Sequence, residues 1–321
     1  MLSRAADSLF WMARNIERAE NNARLIDVNL ESMLENVDPS GDSEGDNWEA
    51  ILRINGYVQP YYQLYECCNT RDVMNFVTFS TDNPNSILQS VEIARENART
   101  IRGIIPQELW ELLNSFFLRM KEYPVKQWEM DSIHQFFQMV KDQSLHFQGI
   151  VDAIMFRGDA YTFIKLGKWL ERAEKTARIL DIYYHKKPIS TLNPDIVEHH
   201  NWWSVLHMSS GYEAYLEQYR SYLKPEKVVE FLLFNETFPR SIRYCIEQLM
   251  LSFDDLEQGK IQPYNRSLYI ELGKLHAYVK YGSVEEVIQI GAHEYFRMIQ
   301  KSCNQIGQLI RKTYYLGEID G

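Results

Sequence analysis

Charged side chains recur in the same order at two distant points of the chain. The order Glu-Arg-Ala-Glu occupies residues 17–20 and again residues 171–174. A shift of 154 residues aligns 17–28 with 171–182, and seven of these twelve pairs are identical. The identical pairs are Glu17/Glu171, Arg18/Arg172, Ala19/Ala173, Glu20/Glu174, Ala23/Ala177, Arg24/Arg178 and Asp27/Asp181. A match this dense, across several residue types, predicts an internal duplication.

Glutamate and arginine at this spacing are consistent with two kinds of role. Arginine holds anionic groups through paired hydrogen bonds, and glutamate binds metal ions or moves protons. The candidate catalytic residues are therefore Glu17, Arg18, Glu20 and Arg24 with Glu171, Arg172, Glu174 and Arg178. The alternative is a structural ion network that fixes the register of packed helices at little net gain in stability. Both interpretations are open at this point.

Both copies also carry apolar residues at helical spacing, and this arranges the charges around each helix. At about 100° per residue, Glu20 and Asp27 fall close to the apolar stripe and Arg24 lies on its flank. Spacings of three and four residues should let Arg24 contact both Glu20 and Asp27. Glu17 lies on the same flank as Arg24, whereas Arg18 points nearly the other way, so on a straight helix Glu17 and Arg18 cannot both face one pocket. Both side chains can therefore face polar partners only if the helix is central and is covered on two sides.

The 3.6-residue apolar period continues through nearly the whole chain, whereas sustained two-residue alternation is absent. The sequence therefore predicts an all-α fold, a single large multi-helix bundle over residues 1–321. We expect pseudo-twofold related halves, with a first repeat at about 1–150 and a second at about 151–321. Matching apolar stripes are most simply buried against each other. The helices that carry Glu17 and Glu171 should therefore be adjacent.

Two proline-containing segments have interpretable local structure, and the first is expected to lead into a helix. In the first, Asp82 or Asn83 should cap the helix, with Pro84 in the first turn. In the second, the polar residues around Arg240 could form an anion-binding turn. A kinked helix junction at Pro239 is the alternative interpretation.

Composition excludes several classes of function. The net charge is −10 and no extended basic run occurs, which argues against a nucleic-acid partner. No run of about 18 apolar residues is present, so we expect no transmembrane helix and no membrane partner. The cysteines form no C-x-x-C motif, which favours the reducing cytoplasm over a disulfide framework. They are Cys67, Cys68, Cys245 and Cys303.

The sequence predicts no metal site and identifies no cofactor. The most metal-like feature is the cluster of Glu198, His199 and His200 with His207. It lacks a second carboxylate–histidine pair, so packing or surface exposure is favoured over metal binding. No Glu-x-x-His pair of the kind used by di-iron bundles occurs, and there is no phosphate-binding P-loop.

Several motifs taken together make the chain resemble the bacterial alpha-E domain family, which is named for its helices and its Glu-Arg motif. The two copies of Glu-Arg-Ala-Glu are the most specific of these motifs, and the similarity covers most of the chain. The other matching motifs are Ser3-Arg4-Ala5, Asn83-Pro84-Asn85-Ser86-Ile87, Ala94-Arg95-Glu96-Asn97-Ala98-Arg99, Glu108-Leu109-Trp110, Gly167 and Phe238-Pro239-Arg240-Ser241. The resemblance implies a component of a bacterial peptide or amino-acid ligation system. It also implies two partners, a circularly permuted ATP-grasp ligase and a transglutaminase-like protein.

Two functions remain in competition. The first is an enzyme, or an enzyme subunit, of a peptide or amino-acid ligation or modification system. The second is a non-catalytic helical scaffold or partner-binding protein whose Glu-Arg motifs are structural. Burial distinguishes them, because a solvent-reachable cavity lined by both copies favours the first and a dry ion network favours the second.

Overall fold

All regular structure in the described part of the chain is helical. The computed structural model describes residues 3–35, 43–123, 130–184, 194–220 and 223–314. These residues contain no β-strand, which confirms the all-α prediction. The helices are α1 (Ser3–Glu35), α2 (Ser43–Asn55), α3 (Val58–Tyr62), α4 (Thr70–Thr78), α5 (Ile87–Thr100), α6 (Gln107–Glu122), α7 (Met130–Ile154), α8 (Asp159–Tyr184), α9 (Pro194–Met208), α10 (Tyr212–Tyr219), α11 (Pro225–Phe234), α12 (Ile242–Glu257), α13 (Arg266–Tyr281), α14 (Val284–Ile290) and α15 (Ala292–Tyr314).

The two helices that carry Glu-Arg-Ala-Glu form the centre of the bundle. α1 packs directly along α8, so the predicted adjacency is observed. α5 and α7 cover further faces of α1, while α12 and α15 cover further faces of α8. Polar side chains of both central helices are consequently enclosed, and Glu17, Glu20 and Asn22 have no exposed surface. α1 is thus a central helix that other helices cover on several sides. This is the arrangement in which both Glu17 and Arg18 can face polar partners.

Small residues allow the two central helices to approach closely. A Cβ atom added at Gly167 of α8 would collide with the carbonyl oxygen of Phe10 in α1, and Ala13 lies on the same side. Larger side chains at these positions would push the helices apart. The close contact brings the charged residues one and two turns further along within reach of the opposite helix.

Two serine-capped helices flank the centre. Ser86 accepts a hydrogen bond from the backbone N–H of Gln89 at the start of α5, and Ser241 does the same for Tyr244 at the start of α12. The predicted cap at Asp82 or Asn83 is therefore wrong. Asn83 instead holds the loop itself, since its side chain donates to Phe76 O and accepts from the N–H of Asn85.

The predicted repeat boundary near residue 150 falls within the last part of α7, which continues to Ile154. The single-domain organisation and its two repeats stay predictions.

Candidate functional site

Reciprocal ion pairs join α1 to α8. The Arg172 guanidinium donates from Nε to Glu17 Oε1 at 2.6 Å and from Nη2 to Oε2 at 2.8 Å. The Arg18 guanidinium donates from Nε to Glu171 Oε1 at 2.7 Å and from Nη2 to Oε2 at 3.0 Å. Each helix thus gives its glutamate to the arginine of the other. Such two-point contacts fix both distance and orientation.

The closed side of the α1–α8 contact comprises Glu17, Glu20, Arg172 and Arg240. Arg240 donates to Glu20 and also lies 3.5 Å from Glu17, and both carboxylates are fully buried. Arg24 and Ser144 add hydrogen bonds to Glu20 at 2.7 and 3.0 Å. Burial alone raises the pKa of Glu20, but Arg240 and Arg24 outweigh it and lower that pKa to about 2. This side is a dry, charge-compensated network.

Arg240 reaches the closed side from the loop between α11 and α12. Its backbone oxygen accepts a hydrogen bond from Thr176 at 3.0 Å, and its side chain donates to Asn21 at 2.9 Å. Pro239 belongs to the same loop, and its carbonyl accepts from Arg172 at 3.3 Å. The expectation of an anion-binding turn around Arg240 is therefore wrong, because the guanidinium points inward to protein carboxylates. Pro239 lies in the junction between α11 and α12, which agrees with the alternative of a helix junction at this proline.

The open side of the same contact comprises Glu171, Glu174, Arg14, Arg18 and Arg178. Arg14 donates from Nε to Glu171 at 2.6 Å and from Nη2 to Glu174 at 3.1 Å. Arg178 donates to the other oxygen of Glu174 at 2.9 Å. Burial raises the pKa of Glu171, but Arg18 and Arg14 hold it well below its usual range. Both carboxylates are already compensated by protein arginines.

A cavity of about 570 Å³ opens beside these residues. Its walls come from α1, α2, α8 and neighbouring segments. The lining residues are Trp11, Arg14, Asn15, Arg18, Ile54, Asn55, Tyr57, Pro84, Asn85, Ile93, Glu171, Glu174, Lys175, Arg178 and Asn304. Arginine, lysine and amide groups dominate the polar part of this wall, and aromatic and aliphatic groups form the rest.

Two loop residues in similar sequence contexts make different contacts on the two sides. Asn85 and Arg240 each follow a proline and precede a capping serine. Asn85 accepts a hydrogen bond from Arg18 at 2.5 Å through its side chain, and its backbone oxygen accepts from Asn22 at 3.1 Å and Tyr57 at 3.2 Å. The asparagine side chain is shorter than that of arginine. It therefore leaves space where the closed side is filled.

Lys175 is a buried cation on the wall of the cavity. Its Nζ donates to Asn55 Oδ1 at 2.6 Å and lies 3.5 Å from Asn22 Oδ1. Burial lowers the pKa of this lysine, and the positive charges of Arg178 and Arg18 lower it further against the opposing effect of Glu171, to about 7. Sequence reasoning missed this residue because the aligned position in the first copy is Asn21.

All eight predicted site residues meet at the α1–α8 contact, but they are divided between its two sides. Their proposed catalytic roles stay predictions. Arg14, Asn85, Lys175 and Arg240 were not among the candidates, although each is part of the ion network or the cavity wall. Arg14 was the most accessible to sequence reasoning, since it lies on the same helix one turn before the Glu-Arg motif.

Asp27 does not join Arg24 as the helix geometry suggested. It contacts His134 Nδ1 at 2.8 Å and Lys141 Nζ at 2.6 Å. Asp27, Glu31 and His134 offer ligand atoms that lie within 4.8 Å of one another, a grouping that a metal ion could use. Lys141 already compensates the charge of Asp27 in this grouping. The histidine cluster noted in the sequence includes Glu198, whose side chain lies outside the described part of the structure.

The geometry can now be set beside known proteins. The model of the Alpha-E family, described as a predicted alpha-helical domain with a conserved ER motif, matches residues 1–315. This chain belongs to the Alpha-E family. The Glu-Arg dipeptide that names the motif occurs here as Glu17-Arg18 and Glu171-Arg172. In this Alpha-E domain both dipeptides form ion pairs between α1 and α8.

Relatives of this Alpha-E domain occur in mycobacteria. Uncharacterized proteins of Mycobacterium bovis and Mycobacterium tuberculosis are each 24% identical to it over 267 residues, or 79% of this chain. That stretch is only 30% of each relative, so the chain spans about a third of the length of the proteins it matches. No solved structure matches it. Among the described helices, none is both long enough and apolar enough to cross a membrane.

Proposed function

We propose that the open side of this Alpha-E domain binds the anionic end of a small substrate in a peptide or amino-acid ligation or modification system. The observation that carries the proposal is the charge balance of the cavity. Four basic side chains line it against two carboxylates, Glu171 and Glu174. Arg14, Arg18 and Arg178 already bind these carboxylates, so the wall retains positive charge for a ligand.

Positive charge in such an enclosed site favours a carboxylate or a phosphate. Arginine is suited to both, because its planar donors match their oxygens. Water is partly excluded here, and electrostatic attraction is stronger than on an open surface. The apolar wall formed by Trp11, Ile54 and Ile93 favours a ligand whose anionic end is attached to an apolar body. An amino acid or a short peptide with a free carboxylate has this character.

Calorimetry with N-acetylated amino acids tests the binding site directly. An N-acetyl amino acid with an apolar side chain should bind, and its primary amide should bind at least about tenfold more weakly, since the amide has the same shape without the charge. Equal affinity for acid and amide, or no binding of any acid in the series, would contradict the proposal.

Matched variants locate the binding to the open side. Arg178 and Arg24 each pair with a glutamate four residues earlier, but only Arg178 lines the cavity. Arg178→Gln should weaken binding of the acid by about tenfold through loss of a charged donor. Arg24→Gln should change the affinity for the acid by no more than about twofold, because the Arg24 guanidinium contacts Glu20 on the closed side. The opposite ranking would move the site away from the cavity.

The partners belong to the same proposal. We expect an ATP-grasp ligase and a transglutaminase-like protein to act on the same substrate, as the family resemblance implies. The mycobacterial relatives support a partner in general terms, since most of their length lies outside the segment matched here. Affinity capture from the host followed by mass spectrometry should recover the ligase, and the purified pair should bind directly. Recovery of neither partner under native conditions would contradict this part.

The internal duplication is also proposed, with the two halves related by a pseudo-twofold axis through the α1–α8 contact. Reciprocal Glu-Arg pairs support it, as do the capping serines at the starts of α5 and α12. A further parallel is that Asp181 contacts His293 at 2.6 Å, as Asp27 contacts His134. Experimental coordinates in which the halves do not superpose would overturn it. A cytoplasmic location is supported by the four free cysteines.

A scaffold function is the second candidate, and the closed side favours it. Glu17, Glu20, Arg172 and Arg240 are buried and pair with one another. If the open side behaved in the same way, substitutions there would change stability and have no effect on anion affinity. Calorimetry on the Arg178→Gln variant therefore distinguishes the two functions.

A further inference from the structure

Lys175 differs in its partners from Lys141 and Lys165, two other buried or half-buried lysines of this domain. Lys141 contacts the carboxylate of Asp27 at 2.6 Å, and Lys165 contacts that of Asp152 at 2.9 Å. Lys175 is only 7% exposed and reaches two amide oxygens, but it forms no ion pair with a carboxylate in the described part of the chain. Buried charges are usually paired. Lys168 also has no carboxylate ion pair among the described residues, but only Lys175 of these two lysines lines the cavity.

The groups around Lys175 explain why the pKa of its amine is lowered. α1 contributes Arg14 and Arg18 to the cavity, and α8 contributes Glu171, Glu174 and Arg178. The two carboxylates are engaged by these arginines, and Glu171 opposes the lowering of the Lys175 pKa without reversing it. Burial and the neighbouring guanidiniums lower its pKa to about 7. About half of the amine is therefore uncharged near neutral pH, where an ordinary lysine is almost wholly protonated.

We propose that Lys175 is a nucleophilic amine that captures the carbonyl group of a small anionic aldehyde or 2-oxo acid as an imine within the cavity. The proposal rests on the proposed function for the anionic end of the ligand, which the arginines of the open side would hold. It adds a covalent step and a substrate class. Buried lysines next to other cations are the ones that proteins use for this chemistry.

The step is balanced without an oxidant or a reductant. The lone pair of the uncharged Lys175 Nζ attacks the carbonyl carbon and forms a C–N bond, and the C=O π electrons move to oxygen. The resulting carbinolamine loses its hydroxyl as water, with both N–H protons of the amine leaving nitrogen overall. Protonation of the imine gives an iminium cation. That cation restores positive charge next to the ligand's own carboxylate.

Reductive trapping tests the proposal on the intact chain. Glyoxylate is the anionic probe and acetaldehyde the uncharged comparison, each with sodium cyanoborohydride at pH 7. Peptide mapping by mass spectrometry should find a carboxymethyl group on Lys175, formed at least about tenfold faster than on the exposed Lys274, because far more of the Lys175 amine is uncharged. Acetaldehyde should show a clearly smaller preference for Lys175, because it has no carboxylate for the arginines of the cavity to hold. An N-acetyl amino acid that binds the cavity should slow the reaction of glyoxylate.

Two variants provide the controls. Lys175→Arg keeps the positive charge but cannot form an imine, so it should lose the fast adduct while the chain stays folded. Lys168 is the matched control, since burial and nearby cations also lower its pKa to about 7 but it is not among the lining residues. Lys168→Met should leave the Lys175 adduct unchanged.

The outcomes are separable from those of the proposed function. If N-acetyl amino acids bind but glyoxylate modifies Lys175 no faster than Lys274, the imine proposal is wrong and anion binding stands. Fast modification of Lys168 in place of Lys175 would also overturn it, since the cavity would then have no role. If no anion binds and Lys175 is not modified, both proposals are wrong.

Discussion

The two sides of the α1–α8 contact use the same residue types and reach opposite states. On the closed side, Arg240 completes the compensation of Glu17 and Glu20 and fills the space beside them. On the open side, Arg14 compensates both glutamates from within α1, and the shorter Asn85 faces a cavity. The comparison indicates that charge compensation and room for a ligand can be separated. Arg240 is part of the side that is filled, whereas Asn85 is part of the cavity wall.

The difference should also be visible in stability. Glu17 and Glu20 on the closed side have no exposed surface, so these carboxylates depend on their protein partners. On the open side, water in the cavity can replace a lost hydrogen bond at modest cost. Equivalent substitutions should therefore have unequal effects, and this inequality is the basis of the tests below.

Removal of the filling arginine should have the largest effect. Arg240→Met leaves Glu17 and Glu20 short of a buried partner and should lower the free energy of unfolding by about 3–5 kcal/mol. Asn85→Ala removes one acceptor of Arg18 beside the cavity and should cost no more than about 1.5 kcal/mol. Urea denaturation of both variants measures the difference. Equal losses of unfolding free energy would contradict the comparison, because water in the cavity would then not replace the lost hydrogen bond.

The second pair of glutamates sharpens the comparison. Glu20→Gln removes the charge that Arg240 and Arg24 share and should cost about 3 kcal/mol. Glu174→Gln should cost only about 1 kcal/mol, because Arg14 keeps its bond to Glu171 and the cavity admits water. It should also tighten anion binding several-fold by removing a negative charge from the wall. Similar stability losses and unchanged affinity would favour a symmetric structural network.

The buried lysines make stability depend on pH. Lys168 and Lys175 have pKa values of about 7 in the folded protein, below the ordinary 10.5. The unfolded chain then binds more protons than the folded protein between about pH 7 and 10. Stability should therefore rise with pH across that window, by up to about 1.4 kcal/mol per pH unit for each lysine, and stay reduced below pH 7.

An anionic ligand should separate the two lysines. Saturation with an N-acetyl amino acid favours the protonated form of Lys175. The contribution of Lys175 to the rise of stability with pH should therefore become smaller, and this contribution is the part of the slope that Lys175→Met removes. The share removed by Lys168→Met should persist, since Lys168 does not line the cavity. Thermal unfolding from pH 7 to 9 with and without ligand gives both slopes. A ligand effect on the Lys168 share alone would contradict the assignment of the cavity.

Among the substitutions on the closed side, the smallest effect is expected from the loss of a single hydroxyl. Ser144 donates to Glu20 at 3.0 Å on the closed side. Ser144→Ala should cost about 1–2 kcal/mol, because the acceptor is a buried carboxylate and no water can replace the donor. A loss below the error of chemical denaturation would mean that the closed side is more hydrated than its burial suggests.

The periodicity of the sequence was sufficient to predict the helical class, and the spacing of Glu-Arg-Ala-Glu was sufficient to predict that α1 and α8 are neighbours. Helical spacing predicted the wrong partner where a contact depends on residues far apart in the chain. Arg24 lies within one helical turn of both Glu20 and Asp27, yet Asp27 pairs with His134 and Lys141 of α7. Local geometry limits the possible contacts, but packing of another helix decides among them.

By itself, the sequence determined which residues would be brought together, because helical periodicity and small residues such as Gly167 place the two charged motifs face to face. Only the tertiary structure decided how they are used. Arg240 and Asn85 come from loops distant in sequence, and the length of each side chain determines whether space beside the glutamates is filled. Likewise, the state of Lys175 depends on burial and on arginines from two helices. No spacing within its own helix predicts that environment.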